Sequence, residues 1–353
     1  MSNDAHGVIT HATDGDKLDA NTVRMTQLIT GLFASQAVRA FAELAIADEL
    51  AKGPATAAEV SAAIGTDAGA TSRLMRAGIA LELVTIDEAG RYSSTALLKT
   101  LQRDAPGSMR GFAIFFASPG AWLPWGNFVD AMRTGERQTA PTLGMEYFDY
   151  LAKTPAELEF FTAGMDGVSS AIGAQAAKMI DTGSVKVAVD VGGASGNLLH
   201  ALMAANPDLA GIVFDRPNVV PVAAAAAQKL GLERRLSAVG GDFFECVPEA
   251  DLYLMKWIMH DWEDSDCIRI LTNCRKAMRP GGRVVVIELQ LGEGNDPGMP
   301  SLMDLNMLVV LNGRERTAHE YGELFAAAGL CLAQTTQLHA PLGPWSLIEG
   351  EAA

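Results

Sequence analysis

The sequence is poor in several things, and each shortage removes a class of function. Its 353 residues include four cysteines, Cys246, Cys267, Cys274 and Cys331, and no C-x-x-C pair. Thiols this few and this scattered indicate neither a disulfide framework nor a structural zinc site, and no metal site is expected. Cys267 and Cys274 stand seven apart in a helical stretch; they share a face, and burial explains them. No apolar run approaches the roughly 20 residues that a membrane span needs, and no basic-then-apolar signal segment opens the chain. A cytoplasmic, reducing location without a membrane partner is the expectation. Positive charge is scarce too: 27 Lys and Arg stand against 42 Asp and Glu, a formal net charge of −15. Phosphate backbones reward a basic face, so nucleic acid is not an expected partner.

What is present suits a globular chain of more than one domain. Apolar residues make up 49% and charged residues 20%, and the length allows two domains with a sizeable core. The chain is organised around Val187–Asp215. Val187–Val191 is a short β-branched run, right for a strand buried on both faces. Gly192–Gly196 breaks it, Asn197–Ala205 reads as a helix, and Gly211–Asp215 is a second buried strand ending in an acid. Strand, glycine turn, helix, strand and acid form the first half of a nucleotide-binding βαβ unit. The dinucleotide template G-x-G-x-x-G fails, because Ala194 and Asn197 stand where its second and third glycines belong. That disfavours a nicotinamide oxidoreductase. The remaining pattern, acid-x-Gly-x-x-x-Gly over Asp190, Gly192 and Gly196, resembles motif I of S-adenosylmethionine-dependent methyltransferases.

Downstream motifs sharpen the resemblance. Gly240-Gly241-Asp242-Phe243-Phe244 precedes Leu254-Met255-Lys256-Trp257 and His260-Asp261-Trp262; Arg279-Pro280-Gly281-Gly282-Arg283 leads into Val284–Glu288, and Arg314-Glu315-Arg316-Thr317 follows. This ordered series resembles the small-molecule O-methyltransferases of the caffeate and hydroxyindole type, including bacterial members acting on phenazines and aromatic polyketides. It covers the chain from about residue 25 onward. The implied fold class is α/β: a Rossmann-like S-adenosylmethionine-dependent methyltransferase domain with an N-terminal α-helical winged-helix dimerisation domain.

In chain order, residues 1–21 are a polar, disordered lead. Residues 22–108 carry the N-terminal domain. Within it Thr22–Leu50 shows helical apolar spacing, and Pro54–Thr95 reads as a winged helix-turn-helix. Thr56 caps Ala57–Ile64, Ala70–Ala80 is the second helix, and Leu81–Ser94 is the wing. A DNA-binding regulator is the sharp alternative, but the second helix offers only Arg73 and Arg76 in an acidic protein. The resemblance implies a homodimer that interlocks through this part. Residues 109–180 form a helical linker and acceptor-pocket region, and 181–353 the catalytic domain. Strands are expected near 187–191, 211–215, 236–239, 251–256 and 284–289, with a closing pair at 331–337 and 345–349.

Methyl transfer from a sulfonium needs a nucleophile and its alignment. About one phenol molecule in a thousand is ionised at neutral pH, so a general base is the central requirement. His260, following the strand Asp251–Lys256, matches the base position in the resemblance. Glu288 and Glu315 match its two flanking glutamates, and a carboxylate there would hold the imidazole tautomer and raise its pKa. A surface ion pair with Arg314 or Arg316 is the plainer explanation of Glu315. Asp261 either joins the site or caps the next helix. For the cofactor, S-adenosylmethionine, the match points are Gly192, Asp215, Asp242, Phe243 and Lys256. Asp215 would take the ribose hydroxyls, Asp242 and Phe243 the adenine, and Asp190 would organise the turn around the methionine ammonium. Phe161, Met165, Met303, Asn306 and Met307 are the acceptor-pocket candidates, with core packing the alternative for the three on the later helix. The substrate implied is a small hydroxylated aromatic. A non-methylating relative, a decarboxylase or hydroxylase, would have no need of His260.

Overall fold

The computed structural model describes residues 19–292, 298–340 and 343–353. Most of the proposed lead lies outside the described residues, and helix already begins at Ala20. Contacts divide the chain after Lys99 into two compact units. The helices between 110 and 179 therefore fall in the same unit as the sheet.

The first unit is built as its punctuation dictates. The Thr56 hydroxyl accepts from the Glu59 amide at 3.2 Å while Glu59 accepts from the Thr56 amide at 2.7 Å, a capping box on Ala57–Ile64. Gly65 ends that helix at φ +70°, and Asp67 caps Ala68–Ala80 through the Ala70 amide. Strands β1 (Val84–Ile86) and β2 (Tyr92–Ser94) pair antiparallel as the wing. Phe41, Ile46, Val60, Met75 and Leu98 are its buried core. Helix Ala20–Ile29 buries nothing, and with the next helix it exposes Met25, Leu28, Ile29 and Phe33.

The second unit centres on a seven-stranded sheet among the described residues. Its strands are β3 (Val187–Val191), β4 (Ala210–Asp215), β5 (Leu236–Gly240), β6 (Ala250–Lys256), β7 (Met278–Leu289), β8 (Leu330–Ala340) and β9 (Gly343–Ala352). The order is β5-β4-β3-β6-β7-β9-β8; β3 to β7 run parallel and β9 is antiparallel to both neighbours. Strand periodicity separates two cores. On β7, Val285 and Ile287 join Leu198, Leu202 and Ile172 on one face, while Val284 and Val286 join Ile270 and Phe325 on the other. The chain winds outward in opposite directions from β3 and β6. That makes their carboxyl ends the switch point where open α/β sheets bind ligands. The glycine turn follows β3 there, and the histidine loop follows β6.

Candidate active site

The sheet edge positions the candidate base through its backbone. β6 ends at Lys256, and Trp257 then takes a left-handed conformation at φ +53°. A bulky residue there is strained by about 1–3 kcal/mol. The strain turns the chain off the sheet into the single 3₁₀ turn Met259–Asp261 that carries His260. Glu288, at the end of neighbouring β7, accepts the Ile258 and Met259 amides through Oε1 at 3.0 and 2.9 Å. It therefore braces the histidine loop by its main chain. Glu315 acts on the ring itself: His260 Nδ1 donates to Glu315 Oε1 at 2.8 Å. That leaves Nε2 as the nitrogen free for chemistry, 3.4 Å from Asp261 Oδ1. Asp261 does not cap the following helix; Glu263 holds that position.

The surface ion pair is ruled out as the reason for Glu315, which is 1% exposed. Arg316, which sequence reasoning treated as surface, is fully buried. Its guanidinium donates to the Met259 and Trp262 carbonyls at 3.0 and 2.8 Å and forms a fork with Asp264 Oδ1 at 2.8 and 3.0 Å. Glu315 and Arg316 thus grip the histidine loop from adjacent positions, one by the ring and the other by the chain. Asp304 accepts the Glu315 amide at 2.9 Å. A Cβ on Gly313 would lie 1.6 Å from the His260 carbonyl oxygen, so only glycine allows the two loops to touch.

Electrostatics follow from this crowding. Burial alone would push the His260 imidazole down, but Glu315, Glu288 and Asp261 outweigh it and carry it up to about 10. Burial lifts the carboxyl of Glu288 to about 7 and that of Asp261 to about 6. Glu288 Oε2 and Glu315 Oε2 are buried without hydrogen-bond partners. His260, Glu288 and Glu315 each offer an atom within 4.8 Å of the others, a grouping that could also hold a cation. Trp257 stacks on the imidazole with rings 3° from parallel and centroids 5.7 Å apart.

The glycine turn is the second half of the site. Gly192, Ala194 and Gly196 are all left-handed, at φ +70°, +48° and +84°. Ala194 adopts this backbone in place of the missing glycine, and its amide donates to Asp215 Oδ2 at 3.0 Å. Asp215 closes β4 with carboxylate lone pairs to spare. Asp242 is exposed and accepts the Phe244 amide at 2.8 Å. Phe243 packs edge-on against Phe244 and Trp262. The Lys256 ammonium, pushed down by burial, feels Asp190, Glu288, Asp166 and Asp261. The carboxyls of Asp190, Glu288, Asp166 and Asp261 gathered here are acceptors of the kind that suit a cofactor bearing a sulfonium and an ammonium. Gly192, Asp215, Asp242, Phe243 and Lys256 are the residues that would hold it.

The acceptor candidates fall around an apolar wall. Met303 and Met307 are 6% exposed and pack in one cluster with Trp257 and Trp345. Half-buried Met165 touches that cluster and a second one containing Phe115, Tyr147 and Phe161. Phe161 meets Phe115 edge-to-face at 5.0 Å. Asn306 Oδ1 accepts from Trp125 Nε1 at 3.0 Å. Because an indole nitrogen only donates, that bond fixes the amide orientation and turns Nδ2 away from Trp125.

Comparison with known proteins places this architecture. A family model for the O-methyltransferase domain matches residues 125–331, and one for the O-methyltransferase dimerisation domain matches residues 26–104. A phenazine O-methyltransferase of Lysobacter antibioticus is 35% identical over 309 residues, 87% of this chain and 90% of that one. Phenazine-1-carboxylate N-methyltransferase of Pseudomonas aeruginosa is 31% identical, with 89% and 93% covered. The crystal structure of human N-acetylserotonin methyltransferase with S-adenosylmethionine superposes with a TM-score of 0.86 at 29% identity, covering 96% of this chain and 99% of that one. The chain belongs to the S-adenosylmethionine-dependent O-methyltransferase family.

Proposed function

We propose that the protein transfers a methyl group to a hydroxyl oxygen of a small aromatic metabolite, with His260 as general base. S-adenosylmethionine supplies a methyl group already activated on a sulfonium. What remains for this chain is to take the acceptor's proton and hold its oxygen in line. The observation carrying the reading is the division of labour on one ring: Nδ1 is committed to Glu315, so Nε2 is the atom that can receive a proton. A base raised to about 10 matches a phenol, whose pKa is also about 10. The proton can then shift between oxygen and nitrogen at little cost as the methyl moves. Glu315 stabilises the imidazolium that forms, and Glu288 keeps the loop from swinging. Phe161, Met165, Met303 and Met307 would hold the flat ring, and Asn306 an oxygen upon it.

One relative is a phenazine-1-carboxylate N-methyltransferase, but an aromatic nitrogen lone pair needs no base, and the buried imidazole–carboxylate pair favours oxygen. The exposed apolar face of the first two helices, within the stretch matched by the dimerisation domain, supports a homodimer. The test is a mass-spectrometric methylation assay over hydroxylated phenazines, naphthoates, indoles and hydroxycinnamates, with the product's methyl position read by NMR. O-methylated product with S-adenosylhomocysteine released is expected. Methylation confined to ring nitrogen would overturn the proposal.

A further inference from the structure

The glycine turn is held between two carboxylates, and only one of them has a role so far. On one side Asp215 accepts the Ala194 amide. On the other, the next residue, Ser195, donates its hydroxyl to Asp166 Oδ1 at 2.9 Å, and Asn197 Nδ2 donates to the same oxygen at 2.9 Å. Asp166 comes from the long helix Pro155–Met179 and is half-buried. Both bonds fall on Oδ1, so Oδ2 keeps its acceptor capacity.

Asp215 and Asp166 bond adjacent residues of the turn, so a cofactor lying across it with its ribose at Asp215 would direct its amino-acid end toward Asp166. That end carries an α-ammonium, three N–H donors with a full positive charge. Asp190 is poorly placed to receive it. Its carboxyl lies beneath the turn, 3% exposed, and a Cβ built on Gly193 would come within 2.6 Å of its Cγ. We propose that Asp166 is a cofactor-binding residue whose free carboxylate oxygen receives the α-ammonium of S-adenosylmethionine, so that the Pro155–Met179 helix senses the methionine end of the cofactor.

Asp166→Asn is a clean probe. Its Oδ1 still accepts from Ser195 and Asn197, so the turn stays tied, while the charge and the second acceptor oxygen are lost. Calorimetric titration of wild type and variant would use S-adenosylhomocysteine, its analogue lacking the α-amino group, and 5′-methylthioadenosine, which lacks the whole amino-acid tail. Wild type should bind S-adenosylhomocysteine about tenfold to a hundredfold tighter than the deaminated analogue, a range typical of one charge-assisted contact. The variant should lose most of that preference and bind 5′-methylthioadenosine as wild type does. Unchanged discrimination in Asp166→Asn, or an equal loss for all three ligands, would overturn the assignment. The first result would move the ammonium to another acceptor, and the second would show that Asp166 serves only to hold the turn.

Discussion

At the scale of single residues, the Nδ1 bond to Glu315 and the carboxylates around His260 set the expected pH behaviour. The imidazole favours its charged form, so the neutral base becomes more abundant with each pH unit up to about 10. In wild type, kcat/KM should therefore climb through the alkaline range and level off near there. Glu315→Gln removes the leading attraction that raises His260, so its rising limb should move to lower pH while the plateau falls. An unmoved limb in a pH–rate profile would show that another group sets it. His260→Ala should lose about 10²- to 10⁴-fold in turnover, the usual worth of a positioned base, and keep its affinity for S-adenosylhomocysteine. If turnover survives that change, proton transfer by this ring is wrong. Chelator dialysis followed by the same assay checks the charge balance. With the imidazole proton as the counter-charge to Glu288 and Glu315, activity should be unaffected.

At the scale of elements, the histidine loop depends on its neighbours more than on itself. Arg316→Met takes the fork from Asp264 and the guanidinium donors from the Met259 and Trp262 carbonyls, which keep only weaker donors such as the Cys267 thiol. Asp264 is half exposed and keeps Arg314 as a partner, so the loss is that of charge-assisted hydrogen bonds, about 1.5–3 kcal/mol, which urea denaturation would register. Gly313→Ala forces the two loops apart, so turnover should fall more steeply than stability does. Much of this was legible in the chain. Val187–Val191 and Gly211–Asp215 read as strands because both faces of each are buried and their side chains say so. Thr56 and Glu59 announce a helix start because both halves of a capping box are local. Arg316 was not legible: an arginine between an acid and a threonine looks like solvent-facing charge, and its partners at 259, 262 and 264 lie far off in sequence. Trp257 falls just past the strand expected to end at Lys256, and nothing in the sequence marks a left-handed aromatic there. Asp166 looks like the polar side of a helix until the turn at Ser195 meets it. The contacts divide the chain after Lys99 rather than near residue 180 for a similar reason. Composition changes near residue 180 because helix gives way to alternating strand and helix, yet helix Pro155–Met179 packs against helix Asn197–Ala205 as one body with the sheet.

At the scale of the whole molecule, the exposed side chains of the first two helices ask for company. Met25, Leu28, Ile29 and Phe33 are each more than half exposed, and together they form a patch of the kind that marks an association surface. Sedimentation should find a dimer, and Ile29→Asp with Phe33→Glu should shift it to monomer. The net charge of −15 makes the surface repel polyanions, so a gel shift at low salt with random duplex DNA should show no retardation despite the winged-helix unit.

The parallel stack of Trp257 on His260 has an optical consequence. A protonated imidazole quenches a neighbouring indole more strongly than a neutral one does. Of the five tryptophans, Trp257 is the one stacked on this ring. Emission should brighten as the base gives up its proton, and Trp257→Phe should abolish that rise. The protein would then report the protonation state of its own base, without substrate and without turnover.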